Sequence, residues 1–418
     1  MKVVYPICCG LDVHKNVIVA TIASTDGSGI TAYEQRSFET LNPDLRAMRD
    51  WLLERGCLDV CMESTGKYWI PVFNVLEGHV NVVLTHPKYV RAIKGKKTDK
   101  KDSKWIADLF KHDLVRTSFI PPKDIRECRE ISRYRFKLVC MRSSEKNRYQ
   151  NCLTVSNVGL GSVLSDCFGK TAQGIMRQLA SPEGFDEEAC LKLIKGQARK
   201  KASRIIDSVR DCDIGPDQRF KIEASMGHMG YLDDMIARCE LELYVRMRPR
   251  WGAVELLCGM PGITELSACL ILSETGVDMS QFEDADHLCS WAGLVPGNNE
   301  SASKKKSTRI TKAGQFLKPV LVQCALAAVK SADEDYFAIK YRRLKKRRGH
   351  KKAAIAIARM MLVCIYHMLA TGELFNPTDY EELKDPKPER EPVPMTEESA
   401  LAFLAAQGYD ISKIVAAV

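Results

Sequence analysis

The chain contains sixteen cysteines but no pair at the CxxC spacing that zinc and redox sites use. Structural zinc sites take their ligands from short Cys and His pairs of that kind, so no zinc site is expected. Cysteines scattered without such pairs are mostly buried free thiols in an intracellular chain.

The sequence also lacks an uninterrupted hydrophobic run long enough to span a membrane. The longest apolar stretch, "AAIAIARMMLVCIYHML", includes Arg359 and His367 and therefore predicts a buried helix. The N-terminus "MKVVYPICCGLDV" leads into a strand pattern without the cleavage-site chemistry of a secretory signal. Together these features predict a cytoplasmic protein with no membrane partner.

Charge is the first positive feature, because the 418 residues carry a formal net charge of +9. A basic balance favours a polyanionic partner such as nucleic acid, although net charge alone also fits an ordinary soluble protein. A chain of this length is expected to form two or three domains.

Residues 1–120 have the pattern of a mixed α/β sheet. Two strands within 7–24 and a third in "TAYEQRSFE" precede a helix, "NPDLRAMRDWLLERG", with Asn42 as its predicted N-cap and Pro43 in its first turn. Then follow the strand "LDVCMEST", the helix "KYWIPVFNVLEG", the strand "VNVVLTH" and the predicted helices "KYVRAIK" and "DSKWIADLFKHDLV".

The rest of the chain is predicted to be all-α. Residues 121–250 contain two long basic helical patterns, which predict an antiparallel coiled-coil arm. Residues 251–375 predict a compact helical domain. The acidic, proline-rich tail, residues 376–418, predicts a linker or a disordered segment that ends in a short helix.

Four acidic residues in the first domain stand out by their positions. Asp12 lies within the first strand, Glu63 ends a buried strand, and Asp99 and Asp102 begin a helix at a spacing that puts both on one face. Buried carboxylates are costly unless they are paired or bind cations, and oxygen ligands suit Mg²⁺. For any one acid, a helix cap or a solvated carboxylate is the simpler interpretation. The four together favour a site for two Mg²⁺ ions.

Lysines surround the paired aspartates in "KGKKTDKKDSKWIADLF". We expect these cations to attract phosphate while Asp99 and Asp102 hold the metal that the phosphates share. The lysines assigned to nucleic-acid binding here are Lys94, Lys96, Lys97, Lys100 and Lys101.

A second set of motifs lies in the C-terminal half. "LCGMPGITELSACLILSETG" has the form of a helix-hairpin-helix that turns at Pro261 and Gly262, although a plain tight turn fits nearly as well. The segment "WAGLVPGNNESASKKKSTRITKAG" combines a polar loop containing Ser301 with a basic cluster. On composition alone this segment is a solvated loop. Its cations are Lys304, Lys305, Lys306, Arg309 and Lys312.

The densest basic run is "KYRRLKKRRGHKKAAIAIARMM", which predicts a helix that grips a nucleic-acid backbone, because so many adjacent cations repel one another without an anionic partner. The residues assigned to binding are Arg342, Arg343, Lys345, Lys346, Arg347 and Arg348. Arginines and lysines of the arm suit either nucleic-acid contact or a solvated helix face; they are Arg133, Arg135, Lys137, Arg142 and Lys146.

The order of the acids resembles that of the RNase-H-like nucleases and the Holliday-junction resolvases. More closely, "GLDVHK", "MESTGKYW" and "KTDKKDSKWIADL" resemble the DEDD transposases of the IS110 family of insertion sequences, whose four metal-binding acids match Asp12, Glu63, Asp99 and Asp102. "WAGLVPGNNESASKKKSTRITKAG" resembles the second signature of the same family. The resemblance covers about residues 5–120 and 250–372.

The resemblance implies a DNA recombinase that works through a phosphoserine intermediate. The family's nucleophilic serine matches Ser301, five residues after Pro296, although Ser303 stands where the family usually has glycine. It further implies Mg²⁺, a bridging noncoding RNA and an assembly of two or four copies in which both domains share one active site. A metal-dependent junction nuclease and a non-catalytic nucleic-acid-binding protein remain the alternatives.

Overall fold

The computed structural model describes residues 2–64, 66–87, 99–181, 183–297, 300–301, 304–305, 309–330 and 335–384, together with residues 400 and 406. Side chains at 99–100, 300–301 and 304–305 are outside this description. The chain divides into two units, Met1–Ile131 and Ser132–Val418.

The first unit is built on a five-stranded mixed sheet, as predicted. Its strands are β1 (Ile7–Val13), β2 (Val17–Thr25), β3 (Thr31–Glu39), β4 (Asp59–Glu63) and β5 (Asn81–Thr85). The spatial order is β3-β2-β1-β4-β5. β1, β2 and β3 are antiparallel neighbours, whereas β4 lies parallel to both β1 and β5.

Successive side chains of a strand point to opposite faces of the sheet. Each face has its own hydrophobic core, and helices cover both faces. Helices α1 (Asn42–Glu54) and α2 (Trp69–Leu76) pack on the face that carries Cys9 and Leu11. Helix α3 (Asp99–Lys111) packs on the opposite face with Cys8 and Cys61.

Two helix predictions in this unit need comment. The N-cap of α1 is Leu41 and not Asn42, since Leu45 N–H donates to Leu41 O at 2.9 Å and no side chain caps the helix. Helix α3 does begin at Asp99, as predicted. The predicted helix in "KYVRAIK" lies outside the described residues.

The second unit is helical in the residues that the structure describes, apart from one short hairpin. Helix α4 (Lys123–Val155) begins in the first unit and continues into the second, where α9 (Pro216–Met247) is the other long helix. Between them lie α5 (Leu160–Val163), α6 (Lys170–Ala180), α7 (Glu187–Leu193) and α8 (Ala202–Asp207).

The short helices between α4 and α9 share a hydrophobic core with the end of α4 and the start of α9, which the sequence did not predict. Leu160, Ile175, Cys190 and Ile205 are fully or almost fully buried in it. Helices α4 and α9 run antiparallel. Arg135 of α4 pairs with Glu240 of α9, whereas Arg142, later in α4, pairs with Asp233, earlier in α9. Coiled-coil packing of this pair stays a prediction.

The remaining elements follow α9 along the chain. They are α10 (Trp251–Cys258), α11 (Glu265–Thr275), α12 (Ala285–Trp291), β6 (Glu300–Ser301), β7 (Lys304–Lys305), α13 (Leu317–Ala328), α14 (Tyr336–Arg348), α15 (His350–Thr371) and α16 (Tyr380–Lys384).

Helix α15 is the one described helix long and apolar enough to cross a membrane by length and composition. Its buried residues include Ala354, Ile357, Met361 and Ile365, at the spacing of one helix face. This is the pattern of a core helix, in agreement with the sequence prediction.

The sixteen cysteines are all free thiols, and most are buried. In the described part of the chain, no group of three His, Cys, Asp or Glu side chains could hold a metal ion.

Candidate active site

Asp12 and Glu63 end neighbouring parallel strands. In the register of β1 with β4, Leu11 lies opposite Met62, so the next residues along, Asp12 and Glu63, are neighbours at the carboxyl ends of the two strands. Side chains opposite each other in a parallel pair point to the same face. The strand pairing therefore brings two of the four predicted acids to one edge of the sheet.

Helix α3 lies directly over β1 at Gly10. A Cβ at Gly10 would stand 2.3 Å from Ser103 O and 2.4 Å from Ala107 N, so only glycine permits this approach. Two hydrogen bonds fix the contact: Thr21 Oγ1 and Ser103 Oγ are 2.8 Å apart, and Gln35 Nε2 donates to Ser103 Oγ at 3.1 Å.

The direction of α3 sets where its paired aspartates lie. The Cys8 thiol donates to Ala107 O at 3.7 Å, whereas Ser103, one turn earlier, lies over Gly10. Helix α3 thus runs antiparallel to β1, and its first turn, with Asp99 and Asp102, points toward the Asp12 end of the strand. Asp12, two residues after Gly10, is on the same face of the sheet.

The four acids differ in their exposure and in whether the structure describes their side chains. Asp12 is 9% exposed, and Glu63 and Asp102 are half-buried. The side chain of Asp99 lies outside the described residues. The others do not form a three-ligand cluster, so the complete four-acid metal site stays a prediction.

His14 is a neighbour that the sequence analysis did not identify. It begins the β1–β2 turn, and its Nε2 lies 3.2 Å from Oδ2 of Asp12, two residues earlier. The motif "GLDVHK" contains this histidine, but nothing in the spacing assigned it a role. A metal bound to Asp12 would therefore have to share that carboxylate with His14 or displace it.

Thr85 supplies an observation that bears on metal binding. It pairs with Glu63 in the register of β4 with β5 and is fully buried. Its Oγ1 has no hydrogen-bond partner among the described residues, and such a buried orphan is costly. A hydroxyl opposite the Glu63 carboxylate offers oxygen donors, which suit a hard divalent ion such as Mg²⁺.

Two thiols lie buried under α3 on the same face of the sheet. Burial under α3 raises the pKa of Cys8 to about 12, with Lys111 opposing the shift, and burial raises the pKa of Cys61 to about 12. Without a metal, both thiols are therefore protonated near neutral pH.

The lysines before and within α3 are only partly described. Lys94, Lys96 and Lys97 lie outside the described residues, and so does the side chain of Lys100. Lys101 is exposed on the first turn of α3. Its neighbour Lys104 places Nζ 3.8 Å from the centre of the Tyr33 ring.

Ser301 ends strand β6 in a small hairpin. β6 pairs antiparallel with β7, with Ser301 opposite Lys304 and Glu300 opposite Lys305. The connecting residues Ala302 and Ser303 lie outside the described residues, as does Lys306, and so do the side chains of the two strands. The choice of Ser301 over Ser303 therefore stays a prediction.

The base of the serine loop is held tightly. A Cβ at Gly293 would lie 2.4 Å from Ala313 O, and one at Gly314 would lie 2.0 Å from Ala292 O. Both glycines have positive φ, and Gly297 N–H donates to Arg309 O at 3.1 Å.

Lys318 joins the two sides of that loop, a role that the sequence analysis did not predict. Its Nζ donates to Gly293 O at 3.1 Å and to Thr311 O at 2.8 Å. Burial lowers the pKa of Lys318. The side chain therefore fixes the base of the loop from beneath and does not serve as an exposed cation.

The predicted basic helix is in fact two helices. Gly349, with φ of 79°, ends α14, and α15 starts at His350. The break follows from glycine, because φ of 79° with ψ of 166° is a backbone conformation that essentially only glycine adopts. The cations assigned to nucleic-acid binding in α14 are all exposed, namely Arg342, Arg343, Lys345, Lys346, Arg347 and Arg348, as are Arg309 and Lys312 of the serine loop.

The first part of the predicted disordered tail is ordered instead. Lys340 Nζ lies 2.7 Å from Asp379 Oδ2, and Arg343 donates to Leu383 O at 2.6 Å. Helix α16 therefore packs on α14, because its carboxylates and carbonyls meet the cations of that helix. The predicted helix near the C-terminus lies mostly outside the described residues.

The candidate helix-hairpin-helix has a packing explanation for its glycine. Gly262 has φ of 85°, and a Cβ there would lie 2.4 Å from Cys324 O on α13. The Thr264 side chain accepts from Ser267 N–H and caps α11. The close approach at this turn is thus to the protein itself, and a DNA-binding role for it stays a prediction.

Most arm arginines also have partners within the protein. Arg133 forms a two-pronged ion pair with Glu274, both bonds 2.8 Å long. Arg135 and Arg142 pair with acids of α9, as described above. For these three the ion pairs favour the structural interpretation, whereas Lys137 is exposed.

Two family models match the chain. A DEDD model of the IS110 type, described as "Transposase", matches residues 9–157, and a model described as "Transposase IS116/IS110/IS902 family" matches residues 254–342. The first range contains all four candidate acids, and the second contains Ser301.

Individual relatives point the same way. The chain is 25% identical to the 44.8 kDa protein of insertion element IS116 from Streptomyces clavuligerus, over 68% of this chain and 74% of the relative. It is 22% identical to the 43.6 kDa protein of IS110 from Streptomyces coelicolor, over 67% and 72%. It is 29% identical to the 42 kDa protein of IS900 from Mycobacterium paratuberculosis, over 35% of this chain and only 36% of that relative.

Proposed function

The chain belongs to the IS110/IS116 family of insertion-sequence transposases, and from this premise we propose that it cuts and rejoins DNA at the ends of a mobile element. The observation that carries the proposal is the shared edge in the first unit. The pairing of Leu11 with Met62 supports a common position for Asp12 and Glu63, the residues that follow, and the direction of α3 supports a position for its first turn at the same end.

The acids would hold a divalent ion, with Mg²⁺ as the expected metal and two ions as the expected number. Asp12, Glu63, Asp99 and Asp102 are the proposed ligands, and the orphan hydroxyl of Thr85 supports an oxygen-rich site beside them. When bound, such an ion stabilises charge on the reacting phosphate. The protein's part is to keep the carboxylates together on rigid strand ends.

Ser301 is the proposed nucleophile. Its hydroxyl oxygen forms a bond to the phosphorus of one DNA phosphodiester, the P–O bond to one deoxyribose breaks, and the released sugar hydroxyl takes the proton that Ser301 gives up. A sugar hydroxyl of the second DNA end then reverses these steps. Because each ester bond replaces another, rejoining needs no energy source.

The exposed cations suit the polyanionic partners of such a reaction. The α14 cations, Arg309 and Lys312 lie at the surface, where phosphate contacts gain from counterion release. We assign DNA to this chain as substrate, and a noncoding bridging RNA as the partner that selects the target. The proposal also includes assembly of two or four copies in the cytoplasm.

A recombination assay with paired variants tests the proposal and its rivals. Purified protein, candidate RNA, an element-end DNA and a target DNA are combined with Mg²⁺ or with EDTA. We expect joined product only with Mg²⁺, and none from the Asp12→Asn/Asp102→Asn double variant, which keeps DNA binding.

The rival functions give different results in the same assay. A junction nuclease would still cut DNA when Ser301 is replaced by Ala, and would form no joined product with wild-type protein. A binding-only protein would give no product under any condition. Either result contradicts the proposed transposase.

RNA guidance has a separate genomic test. A noncoding segment next to the gene, inside matching element boundaries, supports guidance by RNA. Element boundaries that enclose the coding sequence alone argue against it.

A further inference from the structure

A cavity of about 510 Å³ lies in the second unit beside helices α4, α6 and α9. Much of its lining comes from residues 158–253, the segment between the two family matches. The residues that matter for its chemistry are Arg142, Lys146, Phe168, Arg177, Gly227 and Gly230. Its volume is in the range of small-ligand sites.

Three cations line the cavity against two carboxylates, Asp166 and Asp233. Arg142 donates to Asp233, and Lys146 Nζ lies 4.5 Å from the centre of the Phe168 ring. Arg177 is exposed and forms no ion pair with any carboxylate that the structure describes. An excess of cations around a hollow favours an anionic ligand such as phosphate.

Phe168 adds a fixed aromatic surface. Its ring packs on Tyr149 at a centroid distance of 5.5 Å. Its backbone is held at both ends, because its N–H donates to Asp166 Oδ1 at 2.9 Å and its carbonyl accepts from Gln173 Nε2 at 2.8 Å. The ring face toward Lys146 meets a flexible side chain, which can move from the ring to a phosphate.

Two glycines of α9 also line the cavity. Gly227 and Gly230 are three residues apart on α9 and so share one helix face. A Cβ at either position would meet nothing within 4 Å, so no described neighbour requires glycine there. Glycine inside a helix lowers its stability. A ligand that occupies this open space accounts for the presence of both glycines despite that cost.

We propose that this cavity binds one unpaired nucleotide of a single-stranded nucleic acid, with its base stacked on Phe168 and its phosphate held by Lys146 and Arg177. Base stacking on an aromatic side chain beside cations is the common mode of single-strand binding. The inference goes beyond strand transfer, since it needs neither Ser301 nor the acids.

Photocrosslinking locates the nucleotide directly. Full-length protein is mixed with a short, fluorescein-labelled single-stranded oligonucleotide that contains iodouridine, and the mixture is irradiated. The protein is then digested, and the adducts are mapped by mass spectrometry. We expect the adduct on the peptide that contains Phe168. Adducts confined to other peptides would overturn the proposal.

Cavity-filling variants measure the affinity without removing a charge. Gly230→Leu and Gly227→Leu place a side chain in open space on a helix, so we expect folded proteins whose single-strand affinity falls at least fivefold, the low end of one stacked base. Gly252→Leu on α10, where a Cβ also meets nothing, is the matched control. Equal loss in all three variants, or none in the cavity pair, contradicts the site.

Three competitors identify the source of the nucleotide. Unlabelled single strand should displace the probe, whereas blunt duplex and uridine monophosphate should displace it much less. Displacement by uridine monophosphate as strong as by the strand would reject a single-stranded ligand. Since the recombination assay is independent of these measurements, failure here leaves the proposed transposase function standing.

Discussion

At the scale of single residues, a glycine and a lysine position the two parts of the proposed active site, the helix with the paired aspartates and the serine loop. Gly10 permits α3 to lie on β1, which directs the first turn of α3 toward Asp12. Lys318 fixes the base of the loop that carries Ser301. Neither residue was identified from the sequence, because both act through contacts with residues distant in the chain.

Gly10→Ala should separate α3 from the sheet. The added methyl group would meet backbone atoms that cannot move aside, so we expect a loss of about 3 kcal/mol in the free energy of unfolding of this unit. Urea denaturation followed by tryptophan fluorescence measures it. Gly27→Ala is the control, since a Cβ there meets nothing, and a similar loss in both variants would contradict the close approach.

Lys318→Met should slow strand transfer while DNA binding stays near wild type. The variant keeps the apolar stem but leaves two carbonyls without their donor, so the serine loop loses its fixed position. We expect the rate with saturating DNA to fall about tenfold or more. Lys312→Met, an exposed cation of the same loop, should instead weaken DNA binding. If Lys318→Met weakened DNA binding and Lys312→Met slowed strand transfer, the positioning role of Lys318 would be refuted.

At the scale of elements, the long helices α4 and α9 are joined by a buried carboxylate. Glu145 is 5% exposed, and it accepts from Ser225 Oγ at 2.7 Å and from Arg148 at 2.6 Å, with His228 Nδ1 at 3.1 Å. Burial raises the pKa of Glu145, but these hydrogen bonds outweigh burial and the net shift is downward. The carboxylate form is therefore favoured by folding.

Glu145→Gln should destabilise the pair of helices in a pH-dependent way. Because the folded pKa lies below the unfolded one, the stabilisation is fully present above the ordinary carboxyl pKa and disappears as pH falls through the lowered folded value. We expect a loss of about 2 kcal/mol at neutral pH that shrinks in acid. Thermal unfolding across pH checks this, with exposed Glu223→Gln as control. A loss unchanged down to the lowest pH would argue against the charge.

Helix α14 should carry part of the salt dependence of DNA binding. Arg347→Gln and Arg348→Gln each remove an exposed cation near its end, so the slope of log K against log salt should fall by about one per substitution. Lys192→Gln, at an exposed ion pair with Glu188 on α7, should leave the slope unchanged. An unaltered slope in the α14 variants would mean that this helix does not contact the backbone.

At the scale of the whole molecule, the features that the sequence predicted correctly are those that depend on local sequence pattern. Alternating apolar residues and helix-start signals predicted the mixed sheet and the start of α3 at Asp99, because these features depend on near neighbours. The helix break at Gly349 was missed because a continuous basic pattern concealed it.

Long-range packing could not be predicted in the same way. The separate core between α4 and α9, the cavity beside it and the order in α16 depend on contacts between distant segments. The motifs predicted one site for the four acids, whereas the strand pairing that brings Leu11 opposite Met62, next to Asp12 and Glu63, could not be read from them.

A covalent adduct with DNA tests the central claim most directly. Full-length protein, RNA and end-labelled element DNA are incubated with Mg²⁺, denatured in detergent and separated by electrophoresis. We predict a labelled protein band from the wild type and from Ser303→Ala, with the label mapping to Ser301, and no band from Ser301→Ala. An adduct of wild-type yield from Ser301→Ala would contradict the proposed chemistry.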